Sequence, residues 1–209
     1  MNDTWTVLLQ NVVAKSNEYY DIPDRRFVTN ESKAKDITQQ QLDKVKDIHV
    51  RISLELQRAF GLRREEAIKF QPSYADKGDH IQLKAGWTKG GKPRSIPIRT
   101  QHQREILDKA RGLAGFGSLI PSNRSYVHQL RVYEGNTLRA GLSSMHGLRH
   151  AYAQDRYEEL TGLKCPVIGG PDRQLLAPKQ RELDQEARLT IPQELGHKRE
   201  QVTVAYLER

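Results

Sequence analysis

The sequence predicts a mainly α-helical protein with one small antiparallel β-sheet, an α+β architecture, and three observations carry that prediction. Apolar residues recur at helical spacing through most of the chain between Thr38 and Leu195. Capping-box signals, Thr38 with Gln41 and Thr100 with Gln103, stand directly before two of those stretches. One segment alone, Tyr74 to Ile98, changes character: polar and apolar residues alternate around two adjacent glycines, which is the composition of a hairpin.

Residues 1–36 join apolar pieces (TWTVLLQNVVA) to a charged run (DRRFVTNESKAKD) and read as a short helix followed by a linker, so the main unit is expected to span 37–209. From Thr38, one long amphipathic helix is expected through Leu42, Val45, Ile48, Ile52 and Leu56, ending at Phe60-Gly61. Leu62 to Phe70 resumes helical composition. His80 to Leu83 and Arg94 to Ile98 are the strand candidates, with Lys89 near the turn between them. The helix begun at Thr100 carries Ile106, Leu107, Ala110 and Leu113 and stops in the Gly-rich LAGFGS. Another is expected from Ser122 to Tyr133, with EGNTLRAGL closing it.

Ser144 reads as the N-cap of MHGLRHAYAQDRYEEL, a helix ending at Thr161-Gly162. His146 and Arg149, three residues apart, share a face at its start. LKCPVIGGPDRQLLAPKQ is a loop by its prolines and glycines, part of an insertion at about 164–188. LDQEARLTIPQEL is helical again, with Thr190 as cap and Pro192 in the first turn, and Gly196 stops it. The tail, LGHKREQVTVAYLER, reads as too polar for a core. A new helix from about Arg199 would place Val202, Ala205 and Tyr206 on one face.

Composition narrows the function classes. No run of about 18 apolar residues occurs and no basic-then-apolar leader begins the chain, so neither a membrane span nor a secretory signal is expected and the predicted location is cytoplasmic. Cys165 is the only cysteine, which excludes an internal disulfide and a multi-cysteine metal cage. The net charge of +8 favours a polyanion as partner, nucleic acid first. The histidines lack metal-protease spacing, and TKGGKP lacks the spacing of a nucleotide-binding phosphate loop. Trp5 and Trp87 read as packing residues.

Singly, the polar candidates have ordinary explanations: a solvated helix charge for Arg63, a turn lysine for Lys89, a residue at a helix start for His146. Their order is the signal. GLRxxE, a lysine in a KGGKxRxIPI hairpin, HxxRH, LGH and a tyrosine nine residues later follow one another from Ala59 to Leu207. This set resembles the catalytic domain of the tyrosine recombinase (phage integrase) family, and longer strings such as HGLRHAYAQDRYEELTG resemble integrases of bacterial integrative elements.

The resemblance implies the tyrosine recombinase catalytic-domain fold and a role for each residue. Tyr206 would attack a DNA phosphodiester to form a 3′-phosphotyrosyl link and release a 5′-hydroxyl, needing neither metal nor cofactor. Arg63 and Arg149 would hold the non-bridging oxygens, Lys89 would protonate the leaving oxygen, His146 would accept a proton or bind phosphate, and His197 would donate a hydrogen bond to it. Glu66 would orient Arg63 or support the fold. His150 reads as a buried helix histidine, although the family motif carries it too. Arg64, Lys92 and Arg94 are candidate DNA-backbone contacts, with a solvated face as the equal alternative.

Double-stranded DNA is the implied partner, bound as a homo-tetramer on paired sites, with a monomer or weak oligomer without DNA and DNA-bending accessory proteins alongside. The family's separate core-binding domain is expected to be absent, as is a C-terminal helix given to a neighbour, since three residues follow Tyr206. The short polar tail predicts a mobile Tyr206, displaced from its cradle until DNA arrives. Two other readings stand beside a mobile-element recombinase: a non-catalytic DNA-binding regulator of the same fold, and a nicking-closing enzyme of the type IB topoisomerase kind.

Overall fold

The computed structural model describes residues 18–23, 31–197 and 203–208. The expected N-terminal helix with Trp5, the cations Lys198, Arg199 and Arg209, and Val202 lie outside the described residues. The described part is helical with one two-stranded antiparallel sheet, as the sequence predicts.

The long first helix is in fact two, α1 (Gln39–Lys44) and α2 (Ile48–Phe60). Thr38 caps α1 with a complete capping box. The chain then leaves helical geometry at Val45 (ψ 104°), and Asp47 caps α2 by accepting a hydrogen bond from Val50 N at 3.0 Å. The amides of Lys46 and Asp47 donate to Asn136 Oδ1 at 3.1 and 3.2 Å, so a distant side chain satisfies the groups that the break exposes. Apolar periodicity runs through such a break without registering it.

Helices α3 (Arg64–Ile68) and α4 (Pro72–Ala75) lead to β1 (His80–Leu83), which pairs with β2 (Arg94–Pro97) from His80↔Pro97 to Leu83↔Arg94. Ile81, Leu83, Arg94 and Ile96 point inward from this hairpin. The second capping box opens α5 (Gln101–Ala114), which Gly115 closes. Helix α6 (Tyr126–Arg139) is capped by Ser125 and runs through Gly135 and Asn136, further than the composition of EGNTLRAGL suggests. Asn136 Nδ2 bonds back to the Val132 carbonyl at 2.9 Å while its oxygen serves the α1–α2 break, a use that offsets its poor helix propensity.

Ser144 is not the cap of α7 (Gly147–Thr161): it lies in the left-handed region (φ 54°) and its carbonyl accepts from Gly147 N, while His146 occupies the N-cap position. Two 3₁₀ turns, Pro166–Ile168 and Arg173–Leu175, structure the loop that follows. Helix α8 is continuous from Pro178 to Leu195, so Thr190 and Pro192 lie inside it rather than at a start. Ala187, Ile191 and Leu195 recur at a spacing of four and are wholly buried, and α8 packs along α7. That burial offsets the hydrogen bond which Pro192 cannot make. Gly196 ends α8 in the left-handed region (φ 70°, ψ 39°), as expected.

The main core gathers Leu56, Phe60, Leu83, Trp87, Ile96, Leu107, Tyr152, Ile191 and Leu195, and a second cluster with Val50, Leu54, Tyr133 and Leu148 lies against the opposite face of α2. The tail belongs to the main core. Tyr206 and Leu207, on the short helix α9 (Val204–Leu207), are 4% and 0% exposed, which corrects the reading of this stretch as too polar to pack. Among the described residues no helix is long and apolar enough to cross a membrane.

Candidate active site

Four parts of the chain meet around the N-terminal turn of α7: the α2–α3 junction, the hairpin, the C-terminus of α8 and the α9 turn. Arg149, one residue beyond that first turn's midpoint, is 1% exposed and is anchored from three sides. Its Nη1 donates to the Gly61 carbonyl at 2.6 Å, its Nη2 to the Leu195 carbonyl, and its Nε to the Tyr206 hydroxyl at 3.2 Å. The Leu195 carbonyl is in the last turn of α8 and the Gly61 carbonyl is that of the residue closing α2, and backbone acceptors at such helix ends lack intrahelical partners. A Cβ at Gly61 would come within 2.6 Å of the Tyr152 ring and 2.8 Å of Leu195, so only glycine admits this approach.

Tyr206 therefore sits inside the cradle without DNA, not displaced from it. Its hydroxyl is also 3.1 Å from His197 Nε2, and its ring lies 4.5 Å from that of His150 and 6.3 Å from that of His146, centroid to centroid. His150 is buried, as its ordinary reading has it, and simultaneously forms the wall on which the phenol rests. The tautomer of His197 follows from its neighbour. Arg149 Nη2 stands 3.2 Å from the same Nε2, and a guanidinium has only hydrogens to offer, so this nitrogen presents its lone pair.

Arg63 caps α3 and joins Glu66 twice: its amide donates to Oε2 at 2.7 Å and its Nη1 to Oε1 at 3.0 Å. Glu66, fully buried, also receives both Nη groups of Arg94, at 2.7 and 2.6 Å. Arg94, a candidate DNA contact by sequence, is 9% exposed, and its Nε donates to the Glu194 carbonyl at 2.8 Å. Its guanidinium is thus turned inward, away from the surface that a backbone contact needs. Arg64 is exposed and paired with Glu134 at 2.9 Å, and Lys92 is exposed on the connection between the strands.

A cavity of about 210 Å³ opens beside this group, lined by Arg63, Thr88, Lys89, Gly90, Lys92, Pro93, Arg94, Gln193, Gly196 and His197. Lys89 reaches it from the β1–β2 connection, so the structure brings Arg63, Lys89 and His197 to one space and Arg149, His146, His150 and Tyr206 to its flank. Gln193, the carbonyls of Gly61 and Leu195 and the anchor Arg94–Glu66 were not singled out by sequence in these capacities. No motif marks a backbone acceptor or a residue whose partner is far away in the chain.

Electrostatics bear the mark of crowded cations. Burial, then the charges of Arg149, Arg63 and Arg94, push His197 down to about 4. Burial together with His146, Lys33 and Arg149 puts His150 at about 4, and burial with Arg149 and Arg63 lowers His146. All three rings are neutral bases at neutral pH. Burial lowers even Arg149, to about 10, with Tyr206 opposing the shift and Arg63 and Arg94 adding to it; the group remains charged. For Glu66, burial raises the pKa, but the Arg94 hydrogen bonds and charge outweigh it and bring it to about 2. Among the described residues no group of carboxylates, histidines or thiols is placed to hold a metal ion.

A family model described as Integrase matches residues 24–155, which include Arg63, Lys89, His146 and Arg149 and stop short of His197 and Tyr206. In fold the chain is similar to a lambda integrase dimer bound to a COC′ core site, with a TM-score of 0.58 at 16% identity over 98% of this chain and 55% of that one. It is similar also to the XerH site-specific recombinase bound to palindromic difH substrate in a post-cleavage complex, with a TM-score of 0.51 at 15% identity over 94% and 52%. A lambda integrase tetramer bound to a Holliday junction gives a TM-score of 0.51 at 17% identity over 95% and 56%. The chain thus spans about half the length of these structures. No curated protein matches it in sequence.

Proposed function

The chain belongs to the integrase family, the tyrosine recombinases, and on that premise we propose that it is a site-specific DNA recombinase that breaks and rejoins duplex DNA through Tyr206 for integration or excision of a mobile element. The single observation that carries the proposal is the Tyr206 hydroxyl, held at 3.2 Å by Arg149 and at 3.1 Å by His197 in a buried cationic setting. Both partners are residues of the HxxRH and LGH motifs, which distinguishes this phenol from the packed core tyrosines Tyr133, Tyr152 and Tyr157.

In the proposed reaction Tyr206 Oη attacks the scissile phosphorus, the bond from phosphorus to the 5′-oxygen breaks, and the 3′-phosphate stays on the tyrosine. The free energy of the phosphodiester is retained in that link, so rejoining needs no further energy source. The phenol's proton passes to a neutral ring: His197 Nε2, 3.1 Å from the hydroxyl, is the nearest base and takes the proton as its contact with Arg149 is given up, in place of the donor role that the resemblance implies for it. Lys89 gives a proton to the departing 5′-oxygen. Arg63 and Arg149 bind the non-bridging oxygens, and His146 borders the same phosphate.

Arg149 has five hydrogens to donate, and the Gly61, Leu195, His197 and Tyr206 contacts use four of them. An incoming phosphate oxygen takes the place of the Tyr206 hydroxyl on Nε, which frees the phenol to turn toward phosphorus. Residues 37–209 form the catalytic unit, with 164–188 as an insertion beside the nucleophile. The DNA-bound form is a homo-tetramer on paired sites, like the lambda integrase tetramer on its Holliday junction, acting in the cytoplasm with DNA-bending accessory proteins.

The test is a set of nicked suicide duplexes tiled across the DNA that flanks the gene, incubated with purified protein and resolved for a covalent protein-DNA adduct. Wild type is expected to form it and Tyr206→Phe to form none. Equal adduct from Tyr206→Phe removes the nucleophile assignment. DNA binding without adduct on any duplex makes the chain a binding regulator, and relaxation of supercoiled plasmid lacking any flanking sequence makes it a nicking-closing enzyme.

A further inference from the structure

Residues 31–36, before α1, run as a strap over the N-terminal end of α7. Lys35 N donates to the Gly147 carbonyl at 3.0 Å, and Lys35 Nζ reaches the Ser143 carbonyl at 3.0 Å. The fit leaves no slack: a Cβ on Gly147 would stand 2.7 Å from the Lys33 carbonyl oxygen. At the start of the strap the Ser32 hydroxyl lies against the amide of Gln154, accepting from Nε2 at 3.0 Å and within 3.2 Å of Oε1. Gln154 is 4% exposed, on α7, and its Nε2 also donates to the main-chain carbonyl of Tyr206 at 3.2 Å.

We infer that Gln154 is a positioning residue that ties the nucleophile's own peptide unit to the strap through Ser32, so that the stretch preceding the catalytic unit acts on the placement of Tyr206. The catalytic part of this inference rests on the recombinase reading. The physical reason is the shortness of α9. A single helical turn has almost no intrahelical stability, so its position is set by what it docks on. Leu207 supplies burial without direction, whereas a hydrogen bond to the Tyr206 carbonyl fixes where that residue's backbone stands and hence where its ring enters the cradle. Ser32 in turn restrains the amide: a lone Gln154 can rotate, and one held at its far side by the strap cannot do so without losing both contacts. No reaction step needs Gln154 to touch DNA.

Two variants separate this from a general loss of stability, Gln154→Met, which keeps volume without hydrogen bonds, and Ser32→Ala, at an exposed position. In the full chain without DNA, amide exchange in the peptide covering 203–208 is expected to accelerate about tenfold in Gln154→Met and about threefold in Ser32→Ala, with the α5 peptide, 101–114, unchanged. On the suicide duplexes the adduct is expected to form about tenfold more slowly in Gln154→Met, with affinity for the duplex within about twofold of wild type. Unchanged exchange at 203–208 in Gln154→Met overturns the proposal, as does equal acceleration in 101–114, which would make Gln154 a mere stability residue. Acceleration in Gln154→Met with none in Ser32→Ala overturns the coupling to the strap. A wild type that forms no adduct sinks the recombinase reading alone, because the exchange experiment judges the tie without DNA.

Discussion

Arg149 and Glu66 meet opposite demands with the same device, burial among fixed partners. Arg149 is a cation held in place by two backbone carbonyls at helix ends, so it keeps its charge in a site where, among the described residues, no carboxylate is hydrogen-bonded to it. Glu66 is an anion held by two arginines, Arg63 and Arg94, of which Arg94 is the more deeply buried. Removing its charge leaves Arg94 buried with a weaker partner. Glu66→Gln is therefore expected to lower stability by about 3 kcal/mol, since breaking one side of a buried ion pair leaves the other uncompensated, and urea unfolding at neutral pH measures it. A loss below about 1 kcal/mol would show that Arg94 is compensated elsewhere. The histidines make a second residue-scale prediction. His150 has a folded pKa of about 4 against an ordinary 6.5, so the native state favours its neutral form. The unfolded chain binds the proton first as pH falls. Stability is accordingly complete above pH 6.5 and declines from there toward pH 4, with His197 contributing in the same direction. Glu66, held at about 2 against 4.5, loses its contribution only at lower pH. Urea midpoints measured from pH 7.5 to 4.5 should fall, and His150→Leu should flatten the curve; an equally steep curve in that variant removes His150 as a source.

At the scale of the elements, what was legible was local. Both capping boxes stand where the sequence placed them because Thr38 and Gln41, or Thr100 and Gln103, make their bonds within one turn. The strands match to within a residue because a hairpin is settled by its own alternation and turn. Errors arose where a partner is remote: Asn136 breaks the first helix from ninety residues away, Ser144 turns left-handed instead of capping, and packing against α7 carries α8 through Pro192. Two glycines in helices expose the same contrast to measurement. Gly112, within α5, has nothing near its missing Cβ, so Gly112→Ala should stabilise by about 0.5–1 kcal/mol through reduced freedom of the unfolded chain. Gly147, at the start of α7, meets the strap, with Lys35 Cγ at 2.6 Å and the Lys33 carbonyl at 2.7 Å, so Gly147→Ala should destabilise by about 1–3 kcal/mol. Chemical unfolding of the pair decides the matter; the same sign for both would mean that the strap yields without cost.

For the molecule as a whole, charge and shape act together. The net charge of +8 belongs to the entire chain, but Arg63, Lys89 and Lys92 converge on one cavity beside the group around Tyr206, so the field is focused where the proposed phosphate would sit. Duplex binding by the full chain should weaken steeply between 50 and 200 mM salt, and Lys92→Ala should reduce the slope of log affinity against log salt by about 1 without changing sequence preference. Binding measured by anisotropy across that range tests this, and an unchanged slope would place Lys92 outside the DNA footprint. By itself the sequence determined the fold class, the hairpin, the order of the five motifs and the identity of the residues they carry, because those are properties of near neighbours and of residue type. Only the tertiary structure decided that Tyr206 is packed in the cradle, that His197 Nε2 stands within reach of both Arg149 and the Tyr206 hydroxyl, that Arg94 faces inward to Glu66, and that Gln154 joins the tail to the strap. Each of these depends on contacts between segments far apart in the chain, whose geometry follows from burial of the whole core and leaves no periodic trace in any one of them.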